Sequence, residues 1–224
     1  MMKKKSYSRR SAVIFVAVWS IFAASAQGDL TYWDVTIDVS GISSDLELEF
    51  DLFDNAGAAG DTYVLLDNLK LANGGVIELV DFEDFTLQGF DTSLNPDSVG
   101  VVSGSLNGTG SYLLRIDDLY SPTITWRDFI NPGAMSLSFD FFFQSAGETG
   151  FWGPDELVVS LLDTAANPLV AGLTGSGDIL RYNAIDGIDY SSEVSAILIP
   201  APGALLLGLI GMGTLGLWRK FADR

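Results

Sequence analysis

The chain has 224 residues, contains neither cysteine nor histidine, and carries a formal net charge of −17 at neutral pH. These absences exclude disulfides, Ser-His-Asp and Cys-His nucleophilic catalysis and the usual zinc ligand sets. Residues 27–200 hold 28 acidic against 4 basic side chains, a formal charge of −24, which argues against nucleic-acid binding and leaves divalent cations, basic partners or neutral glycans.

Residues 1–26 have the pattern of a secretory signal peptide. A basic start is followed by a short apolar run from residue 12 to residue 24, and the small residues Ala24 and Ala26 then fit a signal peptidase site. The sequence therefore predicts a mature chain that begins at Gln27 and is exported. An uncleaved anchor helix is the alternative, and the shortness of the apolar run argues against it.

The body, residues 27–198, alternates apolar and polar residues with the period of half-buried β-strands. Three stretches show this most clearly, at residues 32–39, 46–53 and 135–143, each with apolar side chains on one face. Further strands are predicted at residues 62–66, 68–71, 76–80, 101–106, 112–119, 123–129, 157–162, 169–173, 179–183 and 194–199. Turn-forming clusters such as "ANGG" and "NGTG" separate them.

This pattern predicts an all-β fold. About a dozen short strands in a domain of this size favour a two-sheet antiparallel sandwich, jelly-roll-like, with a barrel as the lesser alternative. No helical periodicity occurs outside the two terminal segments, so we expect the sandwich to be flanked by an N-terminal signal helix and a C-terminal transmembrane helix.

Residues 199–224 form an unusual tail. The stretch 201–218 has no charge and, at about 1.5 Å per residue, is just long enough to cross a bilayer as a helix. Arg219 and Lys220 follow it, which predicts a cytoplasmic C-terminus and a body outside the cytoplasm. A soluble core helix is the alternative, but the run lacks a polar face.

The tail as a unit resembles the PEP-CTERM sorting signal, in which a Pro-x-Pro motif, an apolar helix and terminal cations follow one another. The motif residues here are Ile199, Pro200, Ala201, Pro202, Gly203 and Ala204, with Ala201 where the family has Glu. The resemblance implies processing by an exosortase-like membrane enzyme after signal peptidase, and attachment to or release near extracellular polysaccharide. A plain membrane anchor without processing is the alternative.

Two stretches of the body resemble carbohydrate-binding jelly-roll modules. They are "YVLLDNLKL", with its Asp-Asn pair, and "LVDFEDFTLQGFD", similar to an opening strand. That resemblance implies a structural Ca2+ held near Asp67 and Glu83, because carboxylate oxygens are the ligands that this cation prefers. Solvated acidic strand faces and loops explain the same residues without a metal.

Aromatic side chains near loops are candidates for stacking on sugar rings. They are Trp126, Trp152, Tyr120 and Tyr63, although aromatic residues in strands more often belong to the core. We name Trp126 and Trp152 as the glycan-stacking candidates.

Three functions follow from these observations. The first is a non-enzymatic, exported surface or matrix protein with a structural role linked to exopolysaccharide, and the second is a carbohydrate-binding module at the cell surface. The third, a glycoside hydrolase, needs two carboxylates in a cleft with one raised pKa, and the sequence shows no recognisable catalytic frame. We expect no enzymatic activity.

Overall fold

The computed structural model describes residues 31–55, 62–107, 110–119, 122–131, 133–145, 149–150 and 153–199, and these residues are all-β with no helix. Leu30–Ile199 forms one compact unit. The strands are β1 Tyr32–Asp38, β2 Leu46–Phe53, β3 Tyr63–Ala72, β4 Val76–Val80, β5 Val99–Ser103, β6 Tyr112–Asp117, β7 Thr123–Phe129, β8 Ser136–Gln144, β9 Thr149–Gly150, β10 Gly153–Pro154, β11 Glu156–Leu162, β12 Asp178–Asn183, β13 Gly187–Tyr190 and β14 Val194–Ile199.

The strands form two main antiparallel sheets. A seven-stranded sheet runs in the order β14-β1-β8-β3-β6-β5, with β4 also paired to β3. A five-stranded sheet runs in the order β13-β12-β11-β2-β7, and β9 pairs only with β10. The prediction of an all-β fold built from antiparallel sheets is confirmed.

Both sheets contribute to one apolar core. Phe50 of the five-stranded sheet contacts Phe139 of the seven-stranded sheet edge to face, with 5.3 Å between ring centroids. Neither ring is more than 1% exposed, and burial of a large apolar side chain stabilises a fold by about 1.5–3 kcal/mol. The arrangement is therefore sandwich-like, with each sheet turning one face inward and one face outward.

The alternation of apolar and polar residues in the sequence correctly predicted which face of β2 packs in the core. In β2, Leu46, Leu48, Phe50 and Leu52 are fully buried, while the residues between them are half-buried on the other side. In β8, Leu137, Phe139 and Phe141 are buried as predicted, but Phe143 is only half-buried and Asp140 on the other face is buried as well. Met135 precedes the strand and is 55% exposed, because the chain at this point is still leaving a turn.

Other strand boundaries differ from the prediction. Residues 62–66 and 68–71 belong to the single strand β3, which carries a register irregularity between Asp67 and Lys70. Asn68 at this point has a positive φ of 52°. Residues 169–173 form turns instead of a strand, and β13 was not predicted.

The stretch that resembled an opening strand is mostly a loop. β4 ends at Val80, and Phe82 and Phe85 both have a φ of 58°, which breaks an extended conformation. Gln88 Oε1 accepts hydrogen bonds from the backbone N–H groups of Asp81 and Phe82, and this holds the loop closed. Phe82 is nevertheless fully buried, so the turn places an aromatic ring in the core.

The predicted signal segment, residues 1–26, and the predicted transmembrane segment, residues 201–218, lie outside the described residues. Within the part of the chain that the structure describes, no helix is long and apolar enough to span a membrane.

Candidate functional site

The outer face of the five-stranded sheet carries a row of acidic side chains on β2. Because side chains alternate along a strand, the four buried apolar residues of β2 force Glu47, Glu49 and Asp51 to the outer face. Successive members of the row are about 7 Å apart along the strand. The pairing register places Asp51 between Val158 of β11 and Ile124 of β7.

An open trough of about 470 Å³ lies on this outer face. Strands β2, β11 and β12 form its floor, and the residues after β2 and before β12 contribute to its rim. It is lined by Glu49, Asp51, Phe53, Asn55, Glu156, Val158, Ser160, Ser176, Asp178 and Arg181. We call this feature the acidic trough, since four of its lining residues are carboxylates and one is a cation.

Arg181 is held in place by two of those carboxylates. Its Nε donates to Asp178 Oδ2 at 2.9 Å, and its Nη1 lies 3.4 Å from Glu156 Oε2. The other oxygen of Asp178 accepts hydrogen bonds from the backbone and hydroxyl of Thr174 and from the hydroxyl of Ser176. Burial opposes ionisation of Asp178, yet these hydrogen bonds lower its pKa below the ordinary value.

For the carboxyl groups on the floor of the trough, the pKa is raised instead of lowered. Burial raises the pKa of Asp51 to about 7, and the charge of Glu49 adds to this effect. Burial also raises the pKa values of Glu49 and Glu156, although Arg181 partly offsets the change at Glu156. Asp51 Oδ1 is buried and accepts no hydrogen bond from the described residues. The floor thus holds a hydrogen-bond acceptor that has no donor within the described fold.

The acidic row continues past the end of the trough. Glu47 lies directly opposite Asp128 of β7. Burial raises the pKa of Glu47 to about 7, and the charge of Asp128 contributes further. A hydrogen bond between the two side chains also raises the Glu47 pKa, because it favours the protonated form of Glu47.

The structure places one glycan-stacking candidate beside the trough. Trp126 lies in β7 opposite Glu49 and shares its outer face, because Thr125 and Phe129 of the same strand are buried inward. Trp126 is half-buried, and it is not among the residues that line the trough. Trp152 and Tyr120 lie outside the described residues.

Tyr63 belongs to a different surface. It lies on the seven-stranded sheet, where Arg115 stacks over its ring at 4.0 Å and Phe142 packs beside it. Tyr63 and the acidic trough are therefore on different sheets, and the structure does not bring Tyr63 and Trp126 into one binding face.

The predicted calcium residues do come together in space. Asp67 and Glu83 both lie beside Gly110, where a Cβ would be 2.9 Å from Glu83 Oε1 and 3.9 Å from Asp67 Oδ2. Glu83 Oε1 accepts hydrogen bonds from the backbone N–H groups of Ser111 and Tyr112. The two carboxylates thus meet at the segment that precedes β6.

These two side chains alone do not complete a calcium site. Asp67 already accepts hydrogen bonds from the N–H groups of Asn68 and Leu106. Ca2+ takes six to eight oxygen ligands, and no group of three or more acidic side chains that suits a metal occurs among the described residues. In the described residues both carboxylates accept hydrogen bonds from nearby backbone N–H groups, and calcium at this position stays a prediction.

The sorting and cleavage residues are almost entirely outside the described part of the chain. Ile199 is the exception, as the last residue of β14, paired with Tyr32 of β1. The other predicted residues of these signals, from Ala24, Ala26 and Gln27 to Pro200–Ala204, Arg219 and Lys220, lie outside it. The domain boundary predicted at residue 198 thus falls within the last strand of the sheet.

The sequence reasoning missed the trough. The signal is present in "LELEFDLF", where three acids, Glu47, Glu49 and Asp51, share one face with Phe53, but the sequence shows this only as the polar face of a half-buried strand. Arg181 is one of four cations in the body, which also marks it as unusual. Comparison with known proteins adds no assignment, because no family model, curated protein or solved structure matches the chain.

Proposed function

We propose that this chain is an exported cell-surface protein whose β-sandwich binds extracellular polysaccharide in the acidic trough without cleaving it. The observation that carries the proposal is the trough itself, an open concavity of about 470 Å³ on a sheet face. Binding sites are concave and combine apolar walls with a few convergent polar groups. Phe53 and Val158 supply such walls, and the carboxylates, hydroxyls and Arg181 supply the polar groups.

The shape of the site favours an extended ligand. The trough is open to solvent along the sheet, and Trp126 lies one strand further on, at a position suited to stack on a sugar ring beyond the trough. The chain crosses between the two sheets several times, as at β1–β2–β3 and β6–β7–β8, and we propose a jelly-roll at this finer level. A face of this kind would bind a polysaccharide chain that lies across the strands.

A glycoside hydrolase is the second candidate, because Asp51 is a carboxyl group in a cleft with a raised pKa. Asp178 has a lowered pKa in the same trough, but both of its oxygens are engaged by hydrogen bonds from Thr174, Ser176 and Arg181, so it is not placed as a free base or nucleophile beside Asp51. Hydrolysis requires one protonated and one ionised carboxyl with different environments. We therefore expect binding without release of reducing sugar ends.

The binding proposal can be tested with the full chain and polysaccharide fragments from the outer surface of its host. Titration calorimetry should show saturable binding that weakens about tenfold in Phe53→Ala, since a lost apolar wall costs about 1–2 kcal/mol. Ile77→Ala is the matched control, because Ile77 is an exposed apolar residue on β4 of the other sheet. Absence of binding to any fragment would leave a purely structural matrix role.

The export and sorting part of the proposal rests on the two terminal segments of the sequence. Intact-mass analysis of the protein from membrane and extracellular fractions should find a species that begins at Gln27 and ends near Pro200. That result would indicate a signal peptidase step followed by an exosortase-like step. A membrane species that retains Arg224 would instead indicate a permanent anchor.

A further inference from the structure

The last strand, β14, is an open edge of the seven-stranded sheet. It pairs with β1 on one side, and within the described residues no strand pairs with its other side. Such an edge carries unpaired backbone donors and acceptors and can serve as a template for another strand, so edges are usually protected by charged residues, proline or a bulge. β14 contains no charged residue and no proline, and it pairs with β1 in a regular register.

The other described edges of the two main sheets differ from β14. Strands β4, β7 and β13 each carry at least one charged residue. Strand β5 has no charge, but it exposes no large apolar side chain. In β14, by contrast, Ile197 is 59% exposed and Leu198 is 49% exposed. Among the described edges, β14 therefore combines an uncharged backbone edge with exposed apolar side chains.

The hydrogen bonds to β1 show which backbone groups of β14 point away from the sheet. The N–H of Asp38 donates to the carbonyl of Glu193 at 2.8 Å. Hydrogen-bonded pairs alternate along antiparallel strands, so the N–H and C=O groups of Ala196 and Leu198 point away from β1. Each of these residues offers one donor and one acceptor to a strand laid against this edge.

We propose that β14 pairs with β14 of a second copy of this chain, antiparallel and about a two-fold axis, so that the seven-stranded sheets of the two copies become continuous. A two-fold axis between antiparallel strands sets one residue opposite its own counterpart. Ala196 suits this position, because it lies near the middle of β14 and its backbone groups point outward. Its N–H and C=O then bond the same groups of the partner, and the N–H of Leu198 donates to the carbonyl of the partner's Val194.

The charges and apolar side chains of the chain favour a second copy as the occupant of this edge. The body has a formal charge of −24, so two copies repel each other over most of their surfaces, and the uncharged β14 is where this repulsion is least. The pairing places Ile197 opposite the partner's Ser195 and Leu198 opposite the partner's Val194, which covers both exposed side chains. Six residues bury less area than a standard interface of about 1,600 Å², so we expect a dissociation constant in the micromolar range.

Sedimentation equilibrium of the full chain in a density-matched detergent tests the pairing. The parent should show a monomer–dimer equilibrium, and Ala196→Pro should raise its dissociation constant at least about tenfold, because proline removes an N–H that bonds only the partner. Since this N–H points away from β1, the thermal midpoint should stay close to that of the parent.

A second variant acts on a side chain instead of the backbone. Ile197→Glu places a negative charge on the edge of each copy at an exposed position, and it should also raise the dissociation constant at least about tenfold. Ile77→Glu is the matched control, because Ile77 is an exposed residue of β4 and the change in net charge is the same. This control should leave the dissociation constant within about threefold of the parent.

Single engineered thiols report the register, since the chain has no cysteine. In the proposed pairing the two Ala196 Cα atoms lie about 5.5 Å apart, within disulfide range, whereas the two Ser195 positions are diagonal neighbours about 7–8 Å apart. After mild oxidation, Ala196→Cys should give at least about fivefold more covalent dimer than Ser195→Cys. Random collision would give the reverse order, because Ser195 is the more exposed residue.

The outcomes decide the inference separately from the proposed function, since the acidic trough lies on the other sheet. A chain that stays monomeric at all micromolar concentrations overturns the inference. A dimer that Ala196→Pro and Ile197→Glu leave unchanged, with equal cross-linking at both cysteines, uses another surface and also overturns it. Added salt should strengthen the proposed dimer by screening repulsion between the acidic bodies, and weakening by salt would indicate an interface of ion pairs, which β14 lacks.

Discussion

Asp51 provides a direct test of the electrostatics of the trough through the pH dependence of stability. Its pKa is about 7 in the folded chain, against an ordinary value of 3.8, because the folded state buries the side chain next to Glu49. Between these two pH values the folded state binds more protons than the unfolded state, so stability falls as the pH rises. The contribution of Asp51 to stability is fully present below about pH 4 and is lost above about pH 7.

The magnitude follows from the two pKa values. Each unit of pKa difference between the folded and unfolded states changes the free energy of unfolding by 1.36 kcal/mol. A pKa raised from 3.8 to about 7 therefore changes it by about 4 kcal/mol in total, and about 2.6 kcal/mol of this change occurs between pH 5 and pH 8. Solvent reaches part of the Asp51 side chain, so we expect about 1–2 kcal/mol in practice. The lower limit near pH 5 keeps the protein clear of its pI of about 4.1, where solubility is lowest.

The assay is urea unfolding of the parent chain and of Asp51→Asn at about pH 5 and about pH 8. Between these two pH values, the free energy of unfolding of the parent should fall by about 1–2 kcal/mol more than that of the variant, since asparagine does not ionise. Groups that are not coupled to Asp51 act equally in both proteins and cancel in the comparison, whereas the coupling between Asp51 and Glu49 is part of the measured difference. An identical change with pH in the two proteins would refute the reasoning.

Two further predictions concern the fold. Phe50→Ala should lower the free energy of unfolding by about 3–5 kcal/mol, because it removes a fully buried ring that packs on Phe139. A loss below about 1 kcal/mol in urea unfolding would contradict this prediction. Gly172→Ala should lower the midpoint of thermal unfolding, since Gly172 has a φ of 64° and a Cβ would lie 2.4 Å from the backbone oxygen of Asp178. Gly41→Ala has open space and should be neutral by the same measurement.

The sequence predicted the strands with strict alternation because their pattern is local. In β2 and β8 each residue's face depends only on its parity, and burial of one face is enough to fix both. The boundaries of β4, β7 and β14 also agree with the prediction. The loop after Val80 could not be predicted in this way, since it depends on the left-handed conformation of Phe82 and on Gln88 closing the turn.

The three acids on the outer face of β2 and the excess of acids over cations in the body were therefore determined by the sequence alone. Only the tertiary structure decided that Glu49 and Asp51 share a trough with Glu156, Asp178 and Arg181. These residues meet because β2 pairs with β11, whose first residue lies more than a hundred positions along the chain. Alternation assigns a face to each residue, but long-range pairing of strands decides which residues share that face.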